Sequence, residues 1–166
     1  MIISKKNIFL VLSLLLITTF YLSRVDNQVT SEDEAFIKDY FINLDVVNPY
    51  ASSYIEQLNL IKSIQHSVFV VASTDGGIDK KSTREPKDLY LNKAGLCFDR
   101  SRVIEKILRY YGFKTRHISI YSTEVTKSVL RSLITPGINS HALTEVKTSK
   151  GWLVVDSNNE WLSLDI

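Results

Sequence analysis

A helical segment that begins at the only cysteine of the chain constrains the fold more than any other feature. The small residues Ala94 and Gly95 lead into Cys97, and Gly112 ends the segment. Between them, apolar residues recur with the period of a helix, at Val103, Ile104, Ile107, Leu108 and Tyr111. Continuing this stripe backwards places Cys97 at the start of the inward face, so the thiol points toward whatever the helix packs on.

Cys97 itself allows two interpretations. A free cysteine is commonly a buried and inert core residue. In the first turn of a helix, however, a thiol lies near unpaired backbone N–H groups and the positive end of the helix dipole, which favours the nucleophilic thiolate form. The sequence that follows the helix favours the reactive interpretation.

Residues 115–121 predict a strand, and the next alternating stretches predict a β-hairpin that turns at Ser149-Lys150-Gly151. Alternation places His141 on one face of the first hairpin strand and Asp156 on one face of the second. A two- or four-residue loop brings Asp156 opposite His141 or onto the adjacent diagonal, within roughly 5–8 Å between Cβ atoms. An odd-numbered loop instead puts the two side chains on different faces.

These residue types in this order indicate an activated thiol. Cys97 would attack an acyl carbon, His141 would hold the thiol proton, and Asp156 would fix the imidazole tautomer. His117 is the rival base. We favour His141 because Asp156 follows it at hairpin spacing, whereas no comparable carboxylate is evident near His117 in the sequence.

An oxyanion formed in such a reaction needs two hydrogen-bond donors. The backbone N–H of Cys97 is the expected first donor. The side chains that could supply the second are Gln65, Tyr90 and Asn92.

Three quoted stretches carry a family resemblance. The pattern P-x-D-L-x-x-x-x-A-G-L-C-F-D-R-S-x-x-x-x-x-x-L-R-x-x-G-F-x-x-R is followed by S-H-A-L-T-E-V and by G-W-L-V-V-D-S. Together, over residues 86–161, they resemble the transglutaminase-like superfamily of papain-type cysteine enzymes. The resemblance implies a nucleophile at Cys97, a base at His141 and an orienting acid at Asp156. It also implies a protein, peptide or cell-envelope amide as substrate and no cofactor.

This chain departs from the usual pattern of that superfamily at two places. Leu143 stands where many members have Trp, and Ser157 stands where the acid is usually followed by Pro. Neither change removes a catalytic group, so both bear on substrate preference.

Two alternatives stay open. Gly95-Leu96-Cys97-Phe98-Asp99 also resembles the nucleophile segment of the arylamine N-acetyltransferases, although an acyl-CoA donor is not expected outside the cytoplasm. A non-catalytic, membrane-tethered binding module is the other alternative.

The N-terminal segment predicts export. Two lysines, Lys5 and Lys6, precede an uncharged apolar run over residues 8–22, and no small-residue cleavage site follows the run. We therefore expect a signal anchor at 1–24 that spans the membrane, a tether at 25–30, and a domain at 31–166 on the extracytoplasmic side, in the periplasm or at the cell surface.

Charge and composition exclude several classes of function. Three of the 20 basic residues fall within residues 1–24, so the rest of the chain is close to neutral and no nucleic-acid partner is expected. No H-x-x-x-H or C-x-x-C spacing predicts a metal site, and His66 is interpreted as a surface or core residue.

The coarse pattern predicts an α+β domain. A helix from Ser31 to about Leu44 and a second one capped by Ser52 or Ser53 come before the cysteine helix. A small antiparallel sheet then packs on that helix, and residues 122–135 form a short helix or a covering loop between its strands. Trp161 is expected in the core.

Overall fold

The computed structural model describes residues 5–22, 26–41, 52–79 and 81–164. Helices come first along the chain: α1 (Lys5–Leu22), α2 (Ser31–Tyr40), α3 (Tyr54–Val71), α4 (Pro86–Asn92) and α5 (Cys97–Tyr110). The second half contains β1 (Thr115–Tyr121), the short helix α6 (Val129–Ile134), β2 (Ser140–Thr148), β3 (Gly151–Asp156) and β4 (Leu162–Leu164). This arrangement confirms the predicted mixture of helices with a small antiparallel sheet.

The four strands form one sheet in the order β1-β2-β3-β4, with every pair antiparallel. Thr148 pairs with Gly151, so the β2–β3 hairpin has a two-residue loop, Ser149 and Lys150. Gly151 has a φ of 134°, a conformation that a side chain would disfavour. The even-numbered loop is one of the two lengths that keep His141 and Asp156 on one face.

Capping residues set the starts of α2 and α3. Thr30 caps α2 by a reciprocal capping box with Asp33, one residue earlier than the sequence suggested. Ser53 caps α3 in the same way with Glu56, as predicted. Helix α2 ends at Tyr40 because Phe41 is extended, and the predicted continuation to Leu44 lies outside the described residues.

The core lies between α3 and the sheet, with α5 at its centre. Helix α5 contacts β1 and β2 on one side and α2, α3 and α4 on the others. The fully buried aliphatic residues include Ile61, Ile64, Ile104, Ile107, Val146 and Val155. Burial of such side chains is the main favourable term in folding.

Helix α5 is buried on every side, whereas the sequence pattern predicted one apolar face. All residues from Asp99 to Leu108 are buried, including Arg102 and Lys106. The Lys106 Nζ atom lies 2.7 Å from Asp33 Oδ2 and 2.6 Å from Glu85 Oε2. Arg102 Nη2 lies 2.9 Å from Glu85 Oε1, so two cations and two carboxylates form one buried cluster.

The protonation of Asp33 reflects this cluster. Burial raises the pKa of the carboxyl group, but hydrogen bonds from Lys106 and Thr30 outweigh it and hold the pKa below its usual value. Asp33 thus caps α2 and pairs with α5 at the same time.

The N-terminal apolar run forms α1, and its apolar side chains are exposed, for example Phe9, Leu16 and Phe20. In the part of the chain that the structure describes, no helix is apolar enough over sufficient length to traverse a bilayer. The predicted membrane-spanning helix is therefore not supported. Trp161, predicted in the core, is half exposed.

Replacing Lys106 with Met should destabilise the fold strongly, because it leaves the buried Asp33 carboxylate without its cation and leaves Glu85 paired with Arg102 alone. Breaking a buried pair in this way costs about 3–5 kcal/mol. Urea unfolding followed by circular dichroism measures it. The matched control is Lys87→Met, which breaks an exposed pair with Glu32 and should leave the midpoint nearly unchanged. Equal midpoints for the two variants would contradict a stabilising role for the cluster.

Candidate active site

Cys97 is the first residue of α5 and is partly exposed. The loop before it is held close to α4 and to the segment after α3. The Gly95 N–H donates to the Thr74 carbonyl at 3.2 Å, and a Cβ on Gly95 would lie 2.4 Å from Leu89 Cδ1. Glycine is therefore required at this position for the chain to approach so closely and to enter the helix at the cysteine.

A buried ion pair lies just beyond Cys97. The Asp99 carboxylate accepts the Leu96 N–H at 3.0 Å, which satisfies one backbone donor at the start of the helix. Its other oxygen accepts from Arg84 Nη1 at 2.9 Å, and the Asp99 side chain is fully buried. Because Arg84 balances the charge of Asp99, the carboxylate opposes a neighbouring thiolate less than an unpaired one would.

The structure brings His141 and Asp156 together. Asp156 pairs with Leu143, which places its side chain on the diagonal from His141, as a two-residue loop predicts. The His141 Nε2 and Asp156 Oδ2 atoms are 3.0 Å apart. A carboxylate accepts, so this contact puts the ring proton on Nε2 and leaves the Nδ1 lone pair free.

Backbone N–H groups hold the oxygen of the Asp156 carboxylate that does not contact His141. Its Oδ1 atom accepts the N–H groups of Asn158 at 2.6 Å and Asn159 at 2.8 Å. The side chain is almost fully buried, while the His141 side chain is 29% exposed. The acid is thus held in place and the base remains accessible.

Arg100 connects the cysteine helix to the end of β3. Its Nε atom donates to the Ser157 carbonyl at 2.8 Å, and its Nη2 atom donates to Asn158 Oδ1 at 2.9 Å and to Asp75. Arg100 lies one helical turn after Cys97, so one buried side chain couples the start of α5 to the residues that follow Asp156. The sequence analysis did not predict this role. The only signal in the sequence was a charged residue close to the nucleophile, and its burial became evident in the structure.

The position of Cys97 relative to β2 follows from contacts one turn further along the helix. Ser101 Oγ lies 3.0 Å from Thr144 Oγ1. In chain order Cys97 precedes Ser101 by four residues and His141 precedes Thr144 by three, so each comes shortly before the residue that makes this contact. Among the described residues, no hydrogen bond joins the Cys97 thiol to the His141 ring.

The sequence profile of the transglutaminase-like superfamily matches residues 56–157, a stretch that contains Cys97, His141 and Asp156. This chain belongs to the transglutaminase-like superfamily. The solved structure of an arylamine N-acetyltransferase from Salmonella typhimurium is similar to it at 18% identity, with a TM-score of 0.45. The similarity covers 78% of this chain and 45% of that one, so the chain spans less than half of the acetyltransferase. No curated protein matches the sequence.

Ser157, one of the two departures from the usual superfamily pattern, has a structural role here. Its hydroxyl donates to the Ala142 carbonyl, and its own carbonyl accepts from Arg100. A serine at this position therefore joins β2, β3 and α5 directly behind the His141–Asp156 pair.

His117 lies on the other face of the sheet. It pairs with Thr144, three residues along β2 from His141, and its ring packs against Phe98 with 5.3 Å between centroids. The expectation that it has no carboxylate nearby is wrong, because Glu105 Oε2 lies 3.8 Å from its Nδ1 atom. Burial lowers the pKa of His117, and Arg102 adds to this while Glu105 acts in the opposite direction.

Hydrogen bonds to backbone carbonyls engage two of the three candidate oxyanion donors. The Gln65 amide donates to the carbonyls of Asp156 and Asn159, both at 2.9 Å, and Asn92 donates to the Ala94 carbonyl. Tyr90 packs against Tyr40 and lines a surface cavity with His66, away from the cysteine. These side chains support the fold around the site. No group of three or more His, Cys, Asp or Glu side chains suited to a metal ion occurs among the residues described.

The lowered pKa of His117 predicts a pH-dependent stability. Below about pH 6.5 the unfolded chain takes up the proton more readily than the folded one, so stability should fall as the pH decreases from 7 toward 5. Urea midpoints measured across this range should show the slope in the wild type and a smaller slope in His117→Gln. His66→Gln, which changes an exposed histidine, should keep the wild-type slope. An unchanged slope in His117→Gln would contradict the assignment.

Proposed function

We propose that this member of the superfamily is a cysteine enzyme that acts on amide bonds, with Cys97 as nucleophile, His141 as base and Asp156 as the group that orients the base. One observation carries the proposal. His141 Nε2 lies 3.0 Å from Asp156 Oδ2, and Arg100, in the first turn of the helix that begins with the partly exposed Cys97, donates to the carbonyl of the residue after Asp156. The contact leaves His141 Nδ1 as the proton acceptor.

The proposed reaction proceeds in two halves. His141 Nδ1 takes the thiol proton, and the Cys97 sulfur attacks the amide carbon while the carbonyl π electrons move to oxygen. Collapse of the tetrahedral intermediate breaks the C–N bond, and His141 returns the proton to the leaving amine. A thioester remains on Cys97. Water then attacks it with His141 again as base, which releases the acid and restores the thiol.

The start of α5 favours both charged species of this reaction. The backbone N–H of Cys97 is the proposed donor to the oxyanion, and the positive end of the helix dipole stabilises a negative charge at the same place. The ion pair of Asp99 with Arg84 limits the repulsion that a carboxylate would otherwise exert there.

Hydrolysis is the simpler outcome, because water is always available as the acceptor. A peptide or a cell-envelope amide is the proposed substrate, and an amine acceptor in place of water would take the acyl group from the same thioester in a cross-linking or other acyl-transfer reaction. The contrasting proposal from another class is a binding module without catalysis. The cysteine enzyme and the binding module differ in the expected reactivity of the Cys97 thiol.

Thiol labelling tests the nucleophile. Iodoacetamide should label Cys97 of the folded wild type faster at pH 7 than it labels the urea-unfolded chain, because the helix start and a nearby imidazole favour the thiolate. His141→Ala should slow labelling while leaving it faster than in the unfolded chain, since only the helix contribution remains. Mass spectrometry follows the adduct. Identical rates for the wild type and His141→Ala would favour the binding module.

Turnover of a peptide or cell-wall amide found by screening tests the other two residues. Asp156→Asn should preserve the fold and reduce kcat by a factor on the order of 10² to 10⁴, because the imidazole loses the partner that fixes its tautomer. Cys97→Ser should abolish turnover. His117→Ala is the control and should be far milder. The reverse ranking of Asp156→Asn and His117→Ala would move the base role to His117 and its neighbour Glu105.

The location of the domain outside the cytoplasm, attached to the membrane, is also a proposal. It rests on the sequence of the N-terminal segment, where two lysines precede the apolar residues of α1. Fractionation with an N-terminal and a C-terminal epitope tag should recover both tags together on membranes, with the domain accessible from outside. A soluble exported form that begins near Val25 or Thr30 would show release instead of attachment.

A further inference from the structure

Helix α6 buries a polar side chain and exposes its aliphatic side chains, which is the reverse of an ordinary surface helix. Of its two polar residues, Arg131 is exposed and Ser132 is buried, and the Ser132 hydroxyl donates to the Ser122 carbonyl at 2.8 Å. Its aliphatic residues face outward, with exposures between 56% and 74%: Val129, Leu130, Leu133 and Ile134. Val125, just before the helix, is 81% exposed. Several exposed aliphatic side chains on one short segment are characteristic of a binding region.

This apolar surface adjoins the candidate active site. His141 lines a cavity of about 350 Å³ together with Ile120, Tyr121, Ser122, Asn139 and Ser140. The Ser122 N–H donates to the Asn139 carbonyl at 2.9 Å. This hydrogen bond joins the two ends of the segment that contains α6. Because Ser132 also bonds to Ser122, α6 is fixed against the wall of the cavity.

The chemistry of the cavity favours an uncharged ligand. Among the described residues that line it, none is Lys, Arg, Asp or Glu. Ile120 and Tyr121 are both more than one third exposed, so the cavity continues onto a surface of aliphatic and aromatic carbon. Apart from His141, no side chain that lines the cavity could pair with a charged group, whereas an apolar group would gain by leaving water.

The edge of the sheet indicates that this ligand is a peptide. Within the four described strands β1 is an outer strand, and its last residues, Ile120 and Tyr121, are the ones that line the cavity. An extended peptide can hydrogen-bond to the free edge of such a strand and present alternate side chains to one face. A lipid acyl chain cannot form hydrogen bonds with those backbone groups.

We propose that the His141 cavity and the outward face of α6 form a subsite for a bulky apolar side chain of a peptide substrate, next to the amide that is cleaved. The inference rests on the proposed function, which supplies the reaction at Cys97. It adds the substrate class, a peptide with an aliphatic or aromatic residue beside the reacting bond.

Two matched probes of Cys97 test the subsite. N-iodoacetyl-leucine amide and N-iodoacetyl-serine amide carry the same electrophile and differ in their side chain. The wild type should react with the leucine probe about tenfold faster or more, as expected when one apolar side chain leaves water. Ile120→Gln and Leu130→Gln should bring the ratio of the two rates close to one, with each rate taken relative to the rate of the same variant with plain iodoacetamide.

The control is Ile55→Gln, which changes an equally exposed isoleucine on α3 and should keep the wild-type ratio. A ratio near one in the wild type, with rapid labelling by iodoacetamide, would overturn the subsite and leave the thiol chemistry standing. A ratio that survives both Ile120→Gln and Leu130→Gln would overturn it as well.

A second measurement is independent of the thiol. In Cys97→Ser, the methyl NMR signals of Ile120 and Ile134 should shift saturably with N-acetyl-leucyl-leucine amide and not with the matched seryl-serine peptide. Shifts without any reactive thiol in the wild type would support the subsite and refute the catalytic proposal. Absence of shifts would refute the subsite. Binding of α6 to phosphatidylglycerol vesicles in place of the peptide would assign the surface to lipid and also refute it.

Discussion

The rest of the structure depends on the neutralisation of charge around one buried helix. Helix α5 begins at Cys97 and carries two cations, Arg102 and Lys106, into the interior. Their partners come from different parts of the chain, Asp33 at the start of α2 and Glu85 just before α4. Because an unpaired buried charge is very costly, these pairs make the packing of the N-terminal helices a condition for burying α5 at all.

The same helix organises the site through a third buried cation. Arg100 donates hydrogen bonds to the Ser157 carbonyl and the Asn158 side chain, which fixes the residues after Asp156 relative to the first turn of α5. Gln65 adds a link from α3 to the carbonyls of Asp156 and Asn159. The nucleophile and the acid lie on elements far apart in sequence, and these two side chains supply the rigid connection between them.

The sequence was informative where local physics determines the structure. The helix that begins at Cys97, the cap at Ser53 and the β2–β3 hairpin follow from periodicity, capping preferences and turn chemistry. What it could not supply were contacts between distant segments. Nothing local shows that Glu105 approaches His117, or that the amide of Gln65 is already used by three carbonyls.

Periodicity does not determine the buried faces of two helices. It predicts one apolar face for α5, yet the polar residues of α5 are buried as well because partners from other elements satisfy them. In α6 the opposite happens, since the aliphatic residues remain outside and a serine is buried on a backbone carbonyl. In both cases tertiary contacts decide which face is inside, and a pattern read along one segment contains no information about them.

The Asp156 carboxylate has a further consequence for how this sequence can change. Two of the three hydrogen bonds that hold it come from main-chain N–H groups, those of Asn158 and Asn159. Main-chain donors persist whatever side chain a position carries, with proline as the exception. Residue 159 can therefore be substituted without loss of the hydrogen bond to the carboxylate. Because backbone geometry orients the acid, the side chains that follow it in the sequence need not reveal how it is held.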